Sequence, residues 1–288
     1  VEILSIWFKG HPAYVGSFVE APAGTYTMTG SGVDIWDTAD QFHFAFKEIT
    51  GAAKIIARVE SVSQTDPWAK AGVMIRDTLD ADSTYAAVLV TPQNGVRFQY
   101  RNTAGGITDR QFAEGITAPQ WVRLERTTGG LIRSYYSADG VTWQRFDLIQ
   151  VTMSTPMYIG LAVTSHNVEL ACEAVFSNVS FPDTSVDPQW TDQDVGMLSN
   201  EPAPMYVTVG DGGGAAATVY YDDPNASLIR DWTEWNIPLT DFSDQGVVLT
   251  DVGKLAIGLG GADNPQPSGS GLVFIDDIRL YLLRDSAE

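Results

Sequence analysis

A chain of 288 residues, 44% of them hydrophobic, has material for two domains of ordinary size, each with its own core. Asp and Glu number 36 against 17 Lys and Arg, and the formal charge of -19 repels phosphate backbones and anionic bilayers, which excludes nucleic acid as a partner. No apolar run approaches the roughly 18 residues a membrane span needs, and the single cysteine, Cys172, excludes an intramolecular disulfide.

The first segment, 3–8, is strand-like and ends at Lys9-Gly10-His11-Pro12 with no partner close in sequence; the absence of a basic leader before it makes the chain read as a mature fragment. Short alternating or β-branched segments follow at 24–29, 41–46, 54–61, 71–76, 85–91, 96–101, 121–126, 131–137, 158–164 and 171–179, punctuated by Gly, Pro, Asn and Asp. Cys172 falls in the last of these and reads as a core thiol. The polar, twice-prolyl stretch 181–188 reads as a crossing between modules. After it come about five more strands, at 204–209, 216–221, 233–238, 254–259 and 272–282. No segment keeps a helical apolar period for twelve residues without interruption, so the expected fold is all-β, two β-sandwich modules. The unpartnered segment 3–8 is expected to pair with the C-terminal strands. That makes 14–182 a module inserted into a discontinuous one formed by 1–13 and 183–288; a free N-terminal tail before two sequential domains is the competing arrangement.

Asp34-Ile35-Trp36-Asp37, Asp40-Gln41-Phe42-His43-Phe44, Trp68-Ala69-Lys70-Ala71-Gly72-Val73-Met74-Ile75-Arg76, and His166-Asn167 after a Gly-Leu-Ala-Val-Thr-Ser strand together resemble the concanavalin A-like, laminin-G-like jelly-roll modules of large bacterial exoproteins. The resemblance covers about 170 residues and implies a secreted or cell-surface protein. The segments Trp232-Thr233-Glu234-Trp235-Asn236-Ile237-Pro238-Leu239 and Phe274-Ile275-Asp276-Asp277-Ile278-Arg279-Leu280 look like a galactose-binding-like carbohydrate module, lacking the strands that normally precede 3–8. In that fold the Ile-Asp-Asp-Ile strand commonly gives a carboxylate to a structural calcium, so the resemblance implies Asp276 or Asp277 as a Ca2+ ligand. Adjacent strand residues face opposite ways, so only one of the two can turn inward.

Sugars are recognised by flat aromatic faces beside amide, carboxylate or guanidinium groups. Trp36 and Trp68 lie in polar, turn-rich surroundings and are the expected platforms, while Trp121 and Trp235 read as core. By alternation His43, Arg76, Gln99 and Arg101 are expected to share a polar face opposite Phe42, Ile75, Phe98 and Tyr100, with core-capping tryptophans and solvated arginines as the plainer alternative. The run Ser137-Ala138-Asp139-Gly140-Val141-Thr142-Trp143 resembles a shortened Asp-box hairpin, a structural element. Gly210-Asp211-Gly212-Gly213-Gly214 has no Lys-Ser or Lys-Thr after it and reads as a flexible hairpin turn, not a phosphate loop.

No strand carries the Glu-x-Asp-x-x-Glu of concanavalin A-like glycosidases, no G-x-S-x-G occurs, and the three histidines have no zinc spacing. The expected function is therefore non-catalytic binding of a polysaccharide. The alternatives are an adhesion or fibre subunit that self-associates by completing its sheet with a neighbour's strand and, behind that, a glycan-cleaving enzyme.

Overall fold

The computed structural model describes residues 2–11, 14–197, 199–263 and 272–282. The chain divides into two compact units, Ala13–Met197 and Val1–Pro12 with Leu198–Glu288. Strands and turns dominate both, and among the described residues the one α-helical stretch is a single turn, Thr240–Ser243. Among the described residues no helix is long and apolar enough to cross a membrane.

The larger unit is a sandwich of two antiparallel sheets. One runs, in spatial order, Asp109–Ala113, Val96–Arg101, Tyr85–Val90, Lys70–Arg76, Met157–Thr164, Phe42–Ile49 and Thr191–Val195. The other runs Gln144–Arg145, Leu131–Ser137, Gln120–Arg126, Ala53–Val62, Cys172–Ser180, Thr25–Gly30 and Ser17–Glu20, with Ile149–Gln150 also on Leu131–Ser137. Alternation decides what each face buries. Val73, Ile75, Val88, Phe98 and Leu161 from the first sheet meet Ile55, Val122, Ala174 and Phe176 from the second in one apolar core. Each fully buried side chain of this size contributes about 1.5–3 kcal/mol over leaving it in water. Cys172 is buried in that core, and burial raises its thiol pKa.

The outer face of the first sheet has an apolar cluster of its own, in which Phe42, Phe44, Met74, Tyr85 and Leu89 pack with Ile35 and Val195. Ile35 belongs to a small hairpin, Ile35–Trp36 against Ala39–Asp40, turned by Asp37 in the left-handed region at φ 44°. The approach to this hairpin requires Gly32, whose φ is +127° and whose missing Cβ would lie 2.2 Å from the Gln41 carbonyl oxygen.

The segment expected to cross between modules belongs to the larger unit. Lys47, buried on its strand, donates from Nζ to the carbonyls of Asp187, Pro188 and Gln189 at 2.6, 2.9 and 2.9 Å and lies 4.5 Å from the Trp190 ring. Residues 191–195 then add an edge strand to Phe42–Ile49. The expected boundary at 182 thus moves to 197. Its polar, prolyl composition marks a segment whose backbone carbonyls are used by a side chain, not a linker.

Among its described residues the smaller unit has two three-stranded sheets. Glu2–Gly10 lies between Thr233–Pro238 and Val273–Leu282, and Met205–Asp211 lies between Ala216–Tyr220 and Val252–Leu259. Leu4, Ile6, Phe8, Met205, Val207, Trp235 and Phe242 form its core. The glycine-rich turn after Met205–Asp211 is tied down, because the Asp211 carboxylate accepts from the Ala215 and Val248 amides, both at 2.9 Å. Those amides hold the carboxyl below its usual pKa.

Cross-strand neighbours share a face, so Leu255 and Leu259, opposite Val209 and Met205, and Ile275 and Leu280, opposite Phe8 and Leu4, point to the core side. All four are exposed, Leu280 by 70%. Among the described residues no strand pairs with the outer edge of either Val252–Leu259 or Val273–Leu282.

Candidate functional site

A cavity of about 260 Å³ opens on the outer face of the first sheet of the larger unit, lined by Asp34, Trp36, Trp68, Lys70, Arg97, Gln99, Arg110 and His166. Its floor comes from alternate positions of adjacent strands. Arg97 and Gln99 are two apart on Val96–Arg101, and the register places Phe112 opposite Arg97 and Arg110 opposite Gln99. All four therefore face the same way.

The two tryptophans form the apolar part of the rim. Trp68 is 37% exposed and Trp36 is half-buried. Each carries a guanidinium against its ring, Arg97 at 4.9 Å from Trp68 and Arg110 at 5.2 Å from Trp36. The Arg97 guanidinium also lies 4.7 Å from the Phe112 ring. Trp68 is fixed by a local turn in which its amide donates to Asp66 Oδ1 at 2.7 Å.

Asp34 is the acid of the cavity and is already engaged. Lys70, almost fully buried, forms an ion pair with Asp34 Oδ1, and His166 Nδ1 lies 3.2 Å from Oδ2. Burial lowers the Lys70 pKa and Asp34 pulls it back up. His166 has a left-handed backbone, φ 52°, at the end of Met157–Thr164. A non-glycine residue in that conformation beside a cavity is a mark of functional sites.

Three buried side-chain atoms of the lining have no hydrogen-bond partner among the described residues: Arg97 Nε, Gln99 Oε1 and His166 Nδ1. Arg97 is only 5% exposed, and its Nε has no hydrogen-bond partner among the described residues. Gln99 is 2% exposed; its Nε2 donates to the Ile35 carbonyl at 3.2 Å, while its Oε1 has no partner. Buried polar atoms are normally satisfied by protein or by ordered water, so these atoms are available to a water or to a polar group brought by a ligand.

Of the residues expected from sequence, Trp36, Trp68 and Gln99 line this cavity. Arg76 and Arg101 share the face but lie beneath it, fully buried. Arg101 meets both oxygens of the equally buried Asp40, at 2.9 and 2.7 Å, and donates to the carbonyls of Trp36 and Asp37. Arg76 sits 3.5 Å from Asp40 and donates to the Thr78 and Asp80 carbonyls. Burial raises the Asp40 pKa, with the Arg101 hydrogen bonds and the Arg76 charge opposing it, and burial lowers Arg76 to about 10. These arginines hold the Trp36 hairpin, and neither lines the cavity.

His43 is a correction. It pairs with Val163, which pairs with Ala71, so His43 shares the face of Ala71 and Ile75, not that of Arg76. Phe42 takes the Arg76 face instead, 5.0 Å from its guanidinium. His43 Nδ1 lies 2.8 Å from Asp194 and Nε2 3.3 Å from Asp192, away from the cavity. The alternation within each strand was sound. Which strand faces adjoin is set by register, and it puts His43 on the Ala71 side of the sheet and Phe42 on the Arg76 side.

Asp34, Lys70, Arg97, Arg110 and His166 were missed as site residues. Arg97 was within reach, since it precedes Gln99 and Arg101 at period two. Arg110 enters through a strand, Asp109–Ala113, that was not predicted.

Asp276 and Asp277, the calcium ligands the resemblance implies, lie on the strand Val273–Leu282. Both are exposed, Asp277 is turned by a bulge to φ 49°, and its carboxylate pairs with Arg279 at 2.7 Å. Among the described residues no three of His, Cys, Asp and Glu gather in a metal-holding group. The Asp139 hairpin does what its resemblance implies: Oδ1 accepts from the Val141 and Thr142 amides at 2.8 and 2.7 Å.

No family model matches the chain, and no curated protein does. Among solved structures it is similar to a functionally unknown protein from Saccharomyces cerevisiae, with a TM-score of 0.44 and 20% identity over 63% of this chain and 96% of that one. It is also similar to a Lotus tetragonolobus seed lectin (TM-score 0.38, 8% identity, 64% and 100% covered) and to an endo-β-1,4-glucuronan lyase from Trichoderma reesei (TM-score 0.35, 12% identity, 61% and 93% covered). Likenesses this distant carry no argument about function.

Proposed function

We propose that the larger unit binds a carbohydrate in the cavity between Trp36 and Trp68, as a non-catalytic module of an extracellular protein. The observation that carries this is the pairing of two rim tryptophans with buried, unmatched hydrogen-bonding atoms on Arg97 and Gln99. Aromatic faces take the apolar side of a pyranose, and the amide and guanidinium take its polar substituents. The volume is near the lower end of ligand pockets, which suits one or two sugar rings. A two-carboxylate hydrolysis has poor support here, since Asp34 is the single acid lining the cavity and is held by Lys70 and His166.

The test is binding to a panel of soluble and insoluble polysaccharides, with Trp36→Ala and Trp68→Ala beside the parent and reducing ends or unsaturated products assayed in parallel. Loss of binding in either folded variant supports the reading; product formation replaces it with catalysis.

A second reading, self-association, draws support from the smaller unit. Its inward-facing Leu255, Leu259, Ile275 and Leu280 are exposed at two open sheet edges, a surface that strand addition would cover. Light scattering over a range of concentrations tests it, and a monomer throughout would end it.

A further inference from the structure

We infer that the sugar held in this cavity is acidic, a pyranose bearing a carboxylate or a sulfate ester; this rests on the glycan reading and deepens it. The chain carries 17 cationic side chains against 36 acidic ones, yet its cavity gathers Lys70, Arg97 and Arg110 around one acid, Asp34. Lys70 consumes that acid. Two guanidinium groups remain without a counter-charge among the lining residues, so the lining is net positive where the whole chain is net negative.

Arg97 makes the case specific. Its guanidinium lies against both the Trp68 and the Phe112 rings, and among the described residues its buried Nε has no hydrogen-bond partner and no acid forms an ion pair with it. Guanidinium remains protonated in proteins, so this burial cannot be relieved by loss of the proton. An uncompensated buried charge is costly, and an anion supplied by a ligand removes the cost. The planar fork also matches a carboxylate or sulfate at two points.

Arg110 strengthens the argument. It lies on the same face through its pairing with Gln99, and its charge adds to burial in lowering the Arg97 pKa, with Glu114 opposing from outside the cavity lining. Like charges placed together on a cavity floor form an anion site. Gln99 Oε1 supplies an acceptor for a neighbouring hydroxyl, and the tryptophans supply the ring faces. Anion, hydroxyl and apolar face are the three parts of an acidic pyranose.

The test is calorimetric titration of the whole protein with oligomers of glucuronate, galacturonate and mannuronate, with sulfated galactan oligomers, and with neutral oligomers of glucose, galactose and mannose. At least one charged set is expected to bind roughly tenfold or more tightly than its neutral counterpart, and the set that does so identifies carboxylate or sulfate. Arg97→Gln should weaken charged-ligand binding by about ten- to a hundredfold and weaken neutral binding by a clearly smaller factor, so that the preference for charged oligomers shrinks. Arg110→Gln, at an exposed position where folding is not at risk, should lower the same preference by a smaller factor. Equal binding of charged and neutral oligomers, or a preference untouched by both substitutions, overturns the acidic assignment and leaves the glycan reading standing. Binding of no oligomer at all overturns both.

Discussion

Arg101 grips Asp40 at two points, 2.9 and 2.7 Å, with both side chains fully buried, and the same guanidinium donates to the Trp36 carbonyl at 3.0 Å. The ion pair therefore fixes a rim residue of the cavity from underneath. Asp40→Ala strands Arg76 and Arg101 as buried cations, and breaking one side of such a pair costs about 3–5 kcal/mol. The urea midpoint should fall accordingly. In any fraction that remains folded, glycan affinity should fall too, because the hairpin loses its anchor. An unchanged midpoint would show that the pair does not hold the hairpin.

Trp68 offers a cleaner separation of binding from stability. It is partly exposed, and its ring contacts are the Arg97 guanidinium and, at 5.7 Å, the Lys70 ammonium. Trp68→Ala should weaken glycan binding by about 1 kcal/mol or more, the range of an aromatic stacking contact, and move the melting temperature little. Ligand should also change the tryptophan fluorescence of the parent more than that of the variant. Equal affinity in the two would take Trp68 out of the site.

Asp139 predicts an acid-side effect. Amide donors at Val141 and Thr142, and the Ser137 hydroxyl, hold its carboxyl well below the usual carboxylate range. A folded-state pKa below the unfolded one contributes stability that is complete above the unfolded value, near 3.9, and is lost as pH falls toward the folded value. The parent should therefore unfold at higher urea than Asp139→Asn at pH 7, with the gap narrowing below about pH 4. A gap that stays constant from pH 7 to pH 3 would assign the difference to the shape of the turn, not to its charge.

The fold was legible because its strands alternate cleanly. Val96–Arg101 and Leu131–Ser137 have the bounds that the pattern predicts; Gln99 follows from alternation along its strand and Trp68 from its polar, turn-rich surroundings. What was not legible depends on relations between distant segments. His43 was placed on the wrong face because strand register is a tertiary property. Arg76 and Arg101 looked like solvated or ligand-facing arginines because Asp40, their buried partner, is far away in sequence. Arg110 needs the edge strand Asp109–Ala113, a short segment whose pattern is weak because much of it faces solvent. The charge reversal of the cavity is invisible in a net count, which averages over the whole surface.

The segment 183–197 gives the sharpest test of structure against composition. Lys47 is buried and satisfied by three successive backbone carbonyls, and Trp190 closes over it while packing on Phe18, Tyr26 and Phe181 at 5.2, 5.7 and 5.7 Å between ring centres. Burial lowers the Lys47 pKa, and those carbonyls replace the water its ammonium loses. Trp190→Ala removes the lid over this ammonium and the hub of the ring cluster. For a half-buried tryptophan the cost should be about 2–3 kcal/mol, below the range for a fully buried one. The variant should also be cut by a protease within 183–190 at denaturant concentrations where the parent is intact, since release of the lid frees the carbonyls and the adjoining edge strand together. If cleavage there is as fast in the parent as in the variant, the segment behaves as the linker its prolines suggest, and the larger unit ends before it.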